Sequence, residues 1–168
     1  MNTLTIDIRR AEPQDADAIA DVHHEAWQGA CAGIIPYKAL MTMIHRRGAR
    51  WWDNAIRRAA SVLVVEIDGD VVGYATLGRN RARELPQQGE IYELYLKPEY
   101  QGVGLGSRLF AAAREKLSSH GLSGLVVWAL EENDNALGFY AGAGGRDVAE
   151  GVEVFDQKAL RKVAFVWD

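Results

Sequence analysis

Leu4, Ile6 and Ile8 alternate with polar neighbours from Thr3 to Arg9, a period of two that predicts a half-buried strand. The period then lengthens. Pro13 opens a helix with Asp15 and Asp17 in its first turn, and Ile19, Val22, His23 and Ala26 recur at helical spacing until Gly29 and Gly33 loosen it. A second helical stretch runs from Tyr37 through Trp51 to Arg58, with a break near Gly48. Ser61 to Ile67 is strongly β-branched, Asp68-Gly69 carries a type I′ hairpin signal, and Val71 to Leu77 returns. The polar loop Gly78 to Gly89 precedes a strand at Ile91–Leu96, which Pro98 closes. An Ala/Leu-rich helix follows at Ser107–Ser118, then a strand at Leu125–Leu130 and a short helix at Asn135–Ala141, stopped by the glycines of Gly142 to Gly145. Two last strands fall near Val152–Phe155 and Lys162–Trp167. The order β-α-α-β-β-β-α-β-α-β-β predicts an α/β (α+β) sandwich: a mixed sheet of about six to seven strands flanked by about four helices. No repeat, low-complexity tract or linker interrupts it, so residues 1–168 are expected to form one domain.

The 168 residues suffice for a sizeable core without metals or disulfides. A formal net charge of −4 argues against a general nucleic-acid binder, which would carry a basic excess. The lone Cys31 excludes an internal disulfide and fits a reducing compartment. Met1 to Arg10 contains Asp7, Arg9 and Arg10 and has no continuous apolar segment, and no run approaches the roughly 18 apolar residues of a membrane span. The expectation is a soluble, cytoplasmic domain with no membrane partner.

Chemistry concentrates in the turn Gln101-Gly102-Val103-Gly104-Leu105-Gly106, between the strand and the Ala/Leu-rich helix. Glycines at every second position let the backbone turn sharply and leave its N–H groups uncovered. The helix that follows aims its free N–H groups and the positive end of its dipole at the same point. This arrangement suits a phosphate. The dinucleotide pattern G-x-G-x-x-G fails because Ser107 stands at the third glycine, and the Walker pattern fails for want of a Lys-Ser/Thr pair.

Glu90-Ile91-Tyr92-Glu93-Leu94-Tyr95-Leu96 is followed by Lys97-Pro98-Glu99-Tyr100 and then by the glycine turn. Downstream come Asn133-Asp134-Asn135-Ala136-Leu137-Gly138-Phe139-Tyr140 and then Gly144-Gly145. These two segments, in this order, resemble the two patterns of the GCN5-related N-acetyltransferases. Ile8 to Ala16 looks like the family's first strand and turn, and His24 to Ala30 with Gly33 to Pro36 resembles one bacterial subgroup.

The resemblance implies acetyl-CoA as co-substrate and acetyl transfer to a primary amine, of a small molecule or of a peptide N-terminus or lysine. It implies that the backbone N–H groups of Gly102, Val103, Gly104, Leu105, Gly106 and Ser107, beside Gln101, face the pyrophosphate. Ser107 has the simpler reading of a helix cap. Leu94, Tyr95 and Leu96 would pair with the pantetheine arm through main-chain groups. Asn133 would reach the pantetheine or the diphosphate end, its alternative being a helix N-cap, and Asn135 is read first as a cap. Tyr140 is implied as the acid near the sulfur, since a phenol with an ordinary pKa near 10 stays protonated at neutral pH. Glu90 is the preferred base. Glu93 lies three residues on, on the opposite face of a regular strand, unless a bulge turns both carboxylates towards the acceptor.

The acceptor side is less legible. Trp27, Tyr37, Trp51 and Trp52 are read as core before they are read as an aromatic wall. Arg79, Arg81 and Arg83 alternate along a loop read as solvated. His23-His24-Glu25 lacks the H-E-x-x-H spacing of a metal site, and no metal is expected. A non-catalytic acetyl-CoA-binding sensor is the competing reading; a binding module needs neither Tyr140 nor Glu90. The final strands, ending in Val163 to Trp167, would offer an edge to a second copy.

Overall fold

The expected strands and helices recur in a computed structural model, which describes residues 4–58 and 61–168. Thr3, where the first strand was expected to begin, lies outside them. The elements are β1 (Ile6–Arg10), α1 (Ala16–Cys31), α2 (Tyr37–Arg46), α3 (Ala49–Arg57), β2 (Ser61–Ile67), β3 (Asp70–Arg79), β4 (Gly89–Leu96), α4 (Leu105–Ser119), β5 (Leu125–Leu130), α5 (Asp134–Gly142), β6 (Arg146–Phe155) and β7 (Lys158–Trp167). Short 3-10 turns at Pro13–Asp15 and Pro98–Tyr100 lead into α1 and out of β4. No helix of the described residues is long and apolar enough to cross a membrane.

One seven-stranded sheet runs in the order β1-β2-β3-β4-β5-β7-β6. All neighbours are antiparallel except β4 and β5. Both faces are covered, and alternate residues of β2 explain how. Leu63 and Val65 pack with Ile91, Leu109, Phe110 and Leu117 on the α4 side, whereas Val62 and Val64 pack with Ile19, Val22, Trp52 and Ile56 on the α1 and α3 side. A third cluster joins Cys31, Ile35, Leu40 and Ile44 to Phe155 and Leu160.

Among the described residues the helices number five rather than about four, because the break at Gly48 divides the second stretch into α2 and α3. Helix α1 continues past Gly29 to Cys31. Strands β6 and β7 start earlier than expected, at Arg146 and Lys158. Their hairpin turns on Asp156 and Gln157 at φ 48° and 72°, so no glycine marks it. Asp68 and Gly69 turn the other hairpin at φ 49° and 89°, the double positive φ of a type I′ turn. Strand β7 is internal, between β5 and β6, so the edge at that end of the sheet is β6 rather than the run from Val163 to Trp167.

The parallel pair positions the site. Strands β4 and β5 are in register only from Gly89 to Ile91 against Leu125 to Val127. Strand β5 continues to Leu130 alongside β7, and β4 continues to Leu96 alongside β3. Beyond Ile91, therefore, β4 has a strand on one side only, and the gap between the two strands opens into a cleft.

Candidate active site

The cleft, of about 810 Å³, has β4 residues Leu94 to Leu96 as one wall and Asn133 to Tyr140 as the other, with the glycine turn at one end and Gly29 and Ala30 of α1 above. Gly102 and Gly104 take φ of +79° and +87°, which L side chains rarely adopt. A Cβ added at either would meet nothing within 4 Å, so both glycines face open space. Gly104 is the N-cap of α4 and no side chain caps it, which leaves the first-turn N–H groups for an external acceptor. The Gln101 amide donates back to the Leu96 carbonyl at 3.4 Å and ties the turn to the end of β4.

Most of the residues implied for the cofactor come together here: Leu94, Tyr95, Leu96, Gln101, Gly102, Gly104, Gly106, Ser107, Asn133 and Tyr140. The side chains of Val103 and Leu105 do not. Val103 is 69% exposed at the tip of the turn, and Leu105 points into the core. Two capping expectations change. Ser107 sits in the first turn of α4, does not cap it, and lines the cleft. Asn133, not Asn135, caps α5, its Oδ1 accepting from the Ala136 N–H at 3.2 Å. Asn135 lies inside α5 and lines the cleft. The cap uses only the oxygen of Asn133 and leaves its amide NH₂ as a donor.

Tyr140 reaches the cleft from a nest of Phe110, Phe139, Phe165 and Trp167. Burial raises its phenol pKa well above the ordinary value, so it remains a proton donor throughout the physiological range. Gly145 secures this packing: a Cβ there would stand 2.6 Å from Trp167 Cζ2 and 2.9 Å from the Tyr140 carbonyl.

A second group of polar side chains occupies the other face of β4. The β3–β4 register slips between Thr76 and Leu77, which oppose Glu93 and Ile91, so Tyr92 is the extra residue of a bulge. The slip puts both Glu90 and Glu93 on the α1 side. Their surroundings differ. Glu90 is 1% exposed and bound by Arg81, whose backbone N–H donates at 3.0 Å to Oε1 and whose Nη2 donates at 2.9 Å to Oε2. Arg81 also stacks on Tyr92 at 4.1 Å. Asn80 fastens the same loop by donating to the carbonyls of Ala82, Leu85 and Gln87. Glu90 thus anchors the loop, and Arg81, solvent-exposed as expected, is also paired.

Glu93 instead joins the helices to the strand. Tyr74 donates to its Oε2 at 2.8 Å and Arg47 Nη2 donates to its Oε1 at 2.5 Å, with Thr76 Oγ1 at 3.5 Å. His23 Nδ1 lies 3.0 Å from the Tyr74 hydroxyl. Because that hydroxyl donates to Glu93, it accepts from His23, so Nδ1 carries the proton and Nε2 does not. Trp27 and Trp52 pack around the imidazole, with centroids at 4.7 and 5.9 Å. Of the four aromatic residues named on the acceptor side, Trp52 is core, Trp27 half-buried, Trp51 at the rim and Tyr37 exposed.

Burial, with the Arg47 cation nearby, pushes the His23 imidazole down to about 3. In the unfolded chain its pKa returns to about 6.5, so between these values the unfolded state binds a proton that the native state refuses. Stability is therefore expected to fall as pH drops below about 6.5, by up to about 1.4 kcal/mol per unit. Thermal unfolding from pH 7.5 to 4.5 checks this: His23→Gln should flatten the slope, and an equal slope in both proteins would count against a neutral native imidazole.

A family model described as the acetyltransferase (GNAT) family matches residues 19–144, which span both walls of the cleft. The chain belongs to that family. Among GNAT relatives, the uncharacterized N-acetyltransferase YuaI of Bacillus subtilis is 29% identical over 163 residues, 96% of this chain and 92% of the relative. A spermidine N(1)-acetyltransferase of Thermoplasma acidophilum is 24% identical over 138 residues, 82% of this chain and 86% of the relative. The PaiA N-acetyltransferase of Thermoplasma acidophilum, solved in complex with coenzyme A, has the same GNAT fold, with a TM-score of 0.76 at 21% identity over 94% of this chain and 98% of that one.

Sequence reading missed Arg47, Tyr74 and His23 as partners of Glu93, and Gly29, Ala30 and Phe139 as walls of the cleft. His23 carried a signal in retrospect, as an imidazole on the apolar face of α1. Arg47 carried none, since its partner lies 46 residues away.

Proposed function

We propose that this GNAT protein transfers the acetyl group of acetyl-CoA to a primary amine of a small molecule or peptide, by direct attack while both substrates are bound. The observation that carries the reading is the divergence of β4 from β5 beyond Ile91. It leaves a strand edge for a peptide-like arm, with an uncapped helix N-terminus at one end and Tyr140 on the far wall. The spermidine acetyltransferase among the relatives and the carboxylate of Glu93 both favour a cationic acceptor.

The backbone N–H groups of Gly102 to Ser107 hold the pyrophosphate, aided by the dipole of α4. Leu94, Tyr95 and Leu96 align the arm through main-chain groups, and an N–H near Leu96 polarises the reacting carbonyl. The Asn133 amide and the Ser107 hydroxyl supply further donors. Tyr140, kept protonated by burial, donates to the departing sulfur. The base role moves from Glu90 to Glu93. The Glu90 side chain is 2% exposed beneath its Arg81 fork, whereas that of Glu93 is 13% exposed and its Oε2 accepts a single hydroxyl, so the amine's proton can reach Glu93 directly or through water.

Calorimetry with coenzyme A, NAD and ATP tests the cofactor, and free-thiol release over an amine panel tests transfer. Coenzyme A is expected to bind and NAD and ATP to fail. Binding of NAD without coenzyme A would overturn the reading, and coenzyme A binding without thiol release from any amine would leave the non-catalytic sensor.

A further inference from the structure

We propose that Arg47 is a tethered stand-in for the acceptor's cation: its guanidinium fills a cation site made by Glu93, Trp51 and Trp52, and the acceptor's ammonium enters by exchanging with it. The proposal rests on the acetyltransferase reading, but its binding test does not need turnover.

The site has the parts that recognise an organic cation. The Arg47 guanidinium carbon lies 4.2 Å from the Trp51 ring centroid and 4.7 Å from that of Trp52, while Nη2 meets the Glu93 carboxylate. Two indole faces and one carboxylate offer cation–π attraction and a counter-charge together. The site sits at the rim of the interior, with the Arg47 and Glu93 side chains 18% and 13% exposed and Trp51 42% exposed. A solute can therefore reach it.

The resident is poorly satisfied for a structural arginine. Its buried Nε has no hydrogen-bond partner among the described residues, although a guanidinium carries five N–H donors. A compact ammonium has three donors and could use Glu93 Oε1 and the Thr76 hydroxyl, which lie 3.5 Å apart. Exchange of one cation for another never leaves the Glu93 carboxylate unpaired, so the cost of stranding a buried charge is avoided. Arg47 also has somewhere to go, because it follows the last turn of α2 in the two-residue corner, Arg47-Gly48, that leads to α3. Glu93 lies two residues before Tyr95 on β4, where the strand lines the cofactor cleft, so a cation delivered there arrives beside the acetyl donor's groove.

A tethered competitor lowers apparent affinity in proportion to its occupancy. If Arg47 fills the site about nine-tenths of the time, its removal raises affinity for an external cation about tenfold. Methylguanidinium chloride is titrated into wild type, Arg47→Lys and Arg47→Gln, with tryptophan fluorescence as the readout and sodium chloride as the ionic control. Coenzyme A affinity and circular dichroism verify that each protein is folded. Affinity should rise from wild type through Arg47→Lys to Arg47→Gln, and Glu93→Gln should abolish it. For an amine acceptor found in the thiol-release panel, Arg47→Gln should lower KM about tenfold at pH 7, with methylguanidinium competing against the acceptor and not against acetyl-CoA. An anion-binding Arg47 predicts the opposite sign, and a merely structural one, whose removal only uncovers Glu93, predicts no methylguanidinium binding to the wild type and no competition with the acceptor there. Unchanged or weaker methylguanidinium binding in folded Arg47→Lys and Arg47→Gln would overturn the proposal. Cation binding without turnover of any amine would instead sink the acetyltransferase reading alone.

Discussion

Gly104→Val is expected to lose coenzyme A affinity by about two orders of magnitude or more while remaining folded. The native φ of +87° is one that a β-branched residue resists, at a cost of roughly 1–2 kcal/mol. No atom lies within 4 Å of the added Cβ, so the protein itself raises no clash. The expected fall in melting temperature is accordingly modest, about 2–8 °C for a chain of this size. Binding suffers twice. The valine side chain projects into the open space that the phosphate would use, and relaxation of φ tilts the N–H groups at the start of α4 away from it. Each hydrogen bond to a charged group contributes about 1.5–3 kcal/mol, so losing two costs about 3–6 kcal/mol. Calorimetry with coenzyme A, beside a thermal melt, checks both parts. Unaltered affinity in a folded variant would remove the phosphate-cradle argument.

Glu93→Gln is expected to lower kcat/KM by about 10²–10⁴, the usual contribution of a positioned general base, with little change in coenzyme A affinity. The amide keeps the shape of the carboxylate but cannot take the amine's proton. Glu90→Gln should act elsewhere. It removes the charge that receives the Arg81 N–H and guanidinium, and the hydrogen bonds lost to a charged acceptor predict a stability loss of about 1–3 kcal/mol. Turnover of the folded Glu90 variant should fall far less than that of the Glu93 variant. Steady-state kinetics and melting curves on the two proteins decide between them; a larger kinetic loss at Glu90 would return the base role to that residue.

The two carboxylates show where sequence reading stops. Counting along a regular strand puts Glu90 and Glu93 on opposite faces, and one extra residue at Tyr92 reverses that parity. A bulge is a property of the pairing between β3 and β4, so neither strand displays it alone. The asparagines show a smaller failure of the same kind. Asn133 and Asn135 are both competent caps, and the start of α5 at Asp134 selects the first.

The features legible in the chain are those whose physics is local. Side-chain periods of two and of about 3.6 separated the strands from the helices, and alternating glycines from Gly102 to Gly106 marked the turn at the end of the cleft. The motifs flanking that turn resemble those of the GNAT family, to which the chain belongs. Tertiary structure alone decided which strands part company, which carboxylate is occupied by Arg81, and which cation rests on Glu93. Each depends on residues far apart in the chain: Gly89 to Ile91 against β5, and Arg47 against Glu93. Such contacts depend on how the sheet and helices pack, and no local pattern records them. The glycine turn could therefore be read from six consecutive residues, while the pairing of Arg47 with Glu93 exists only in the folded chain.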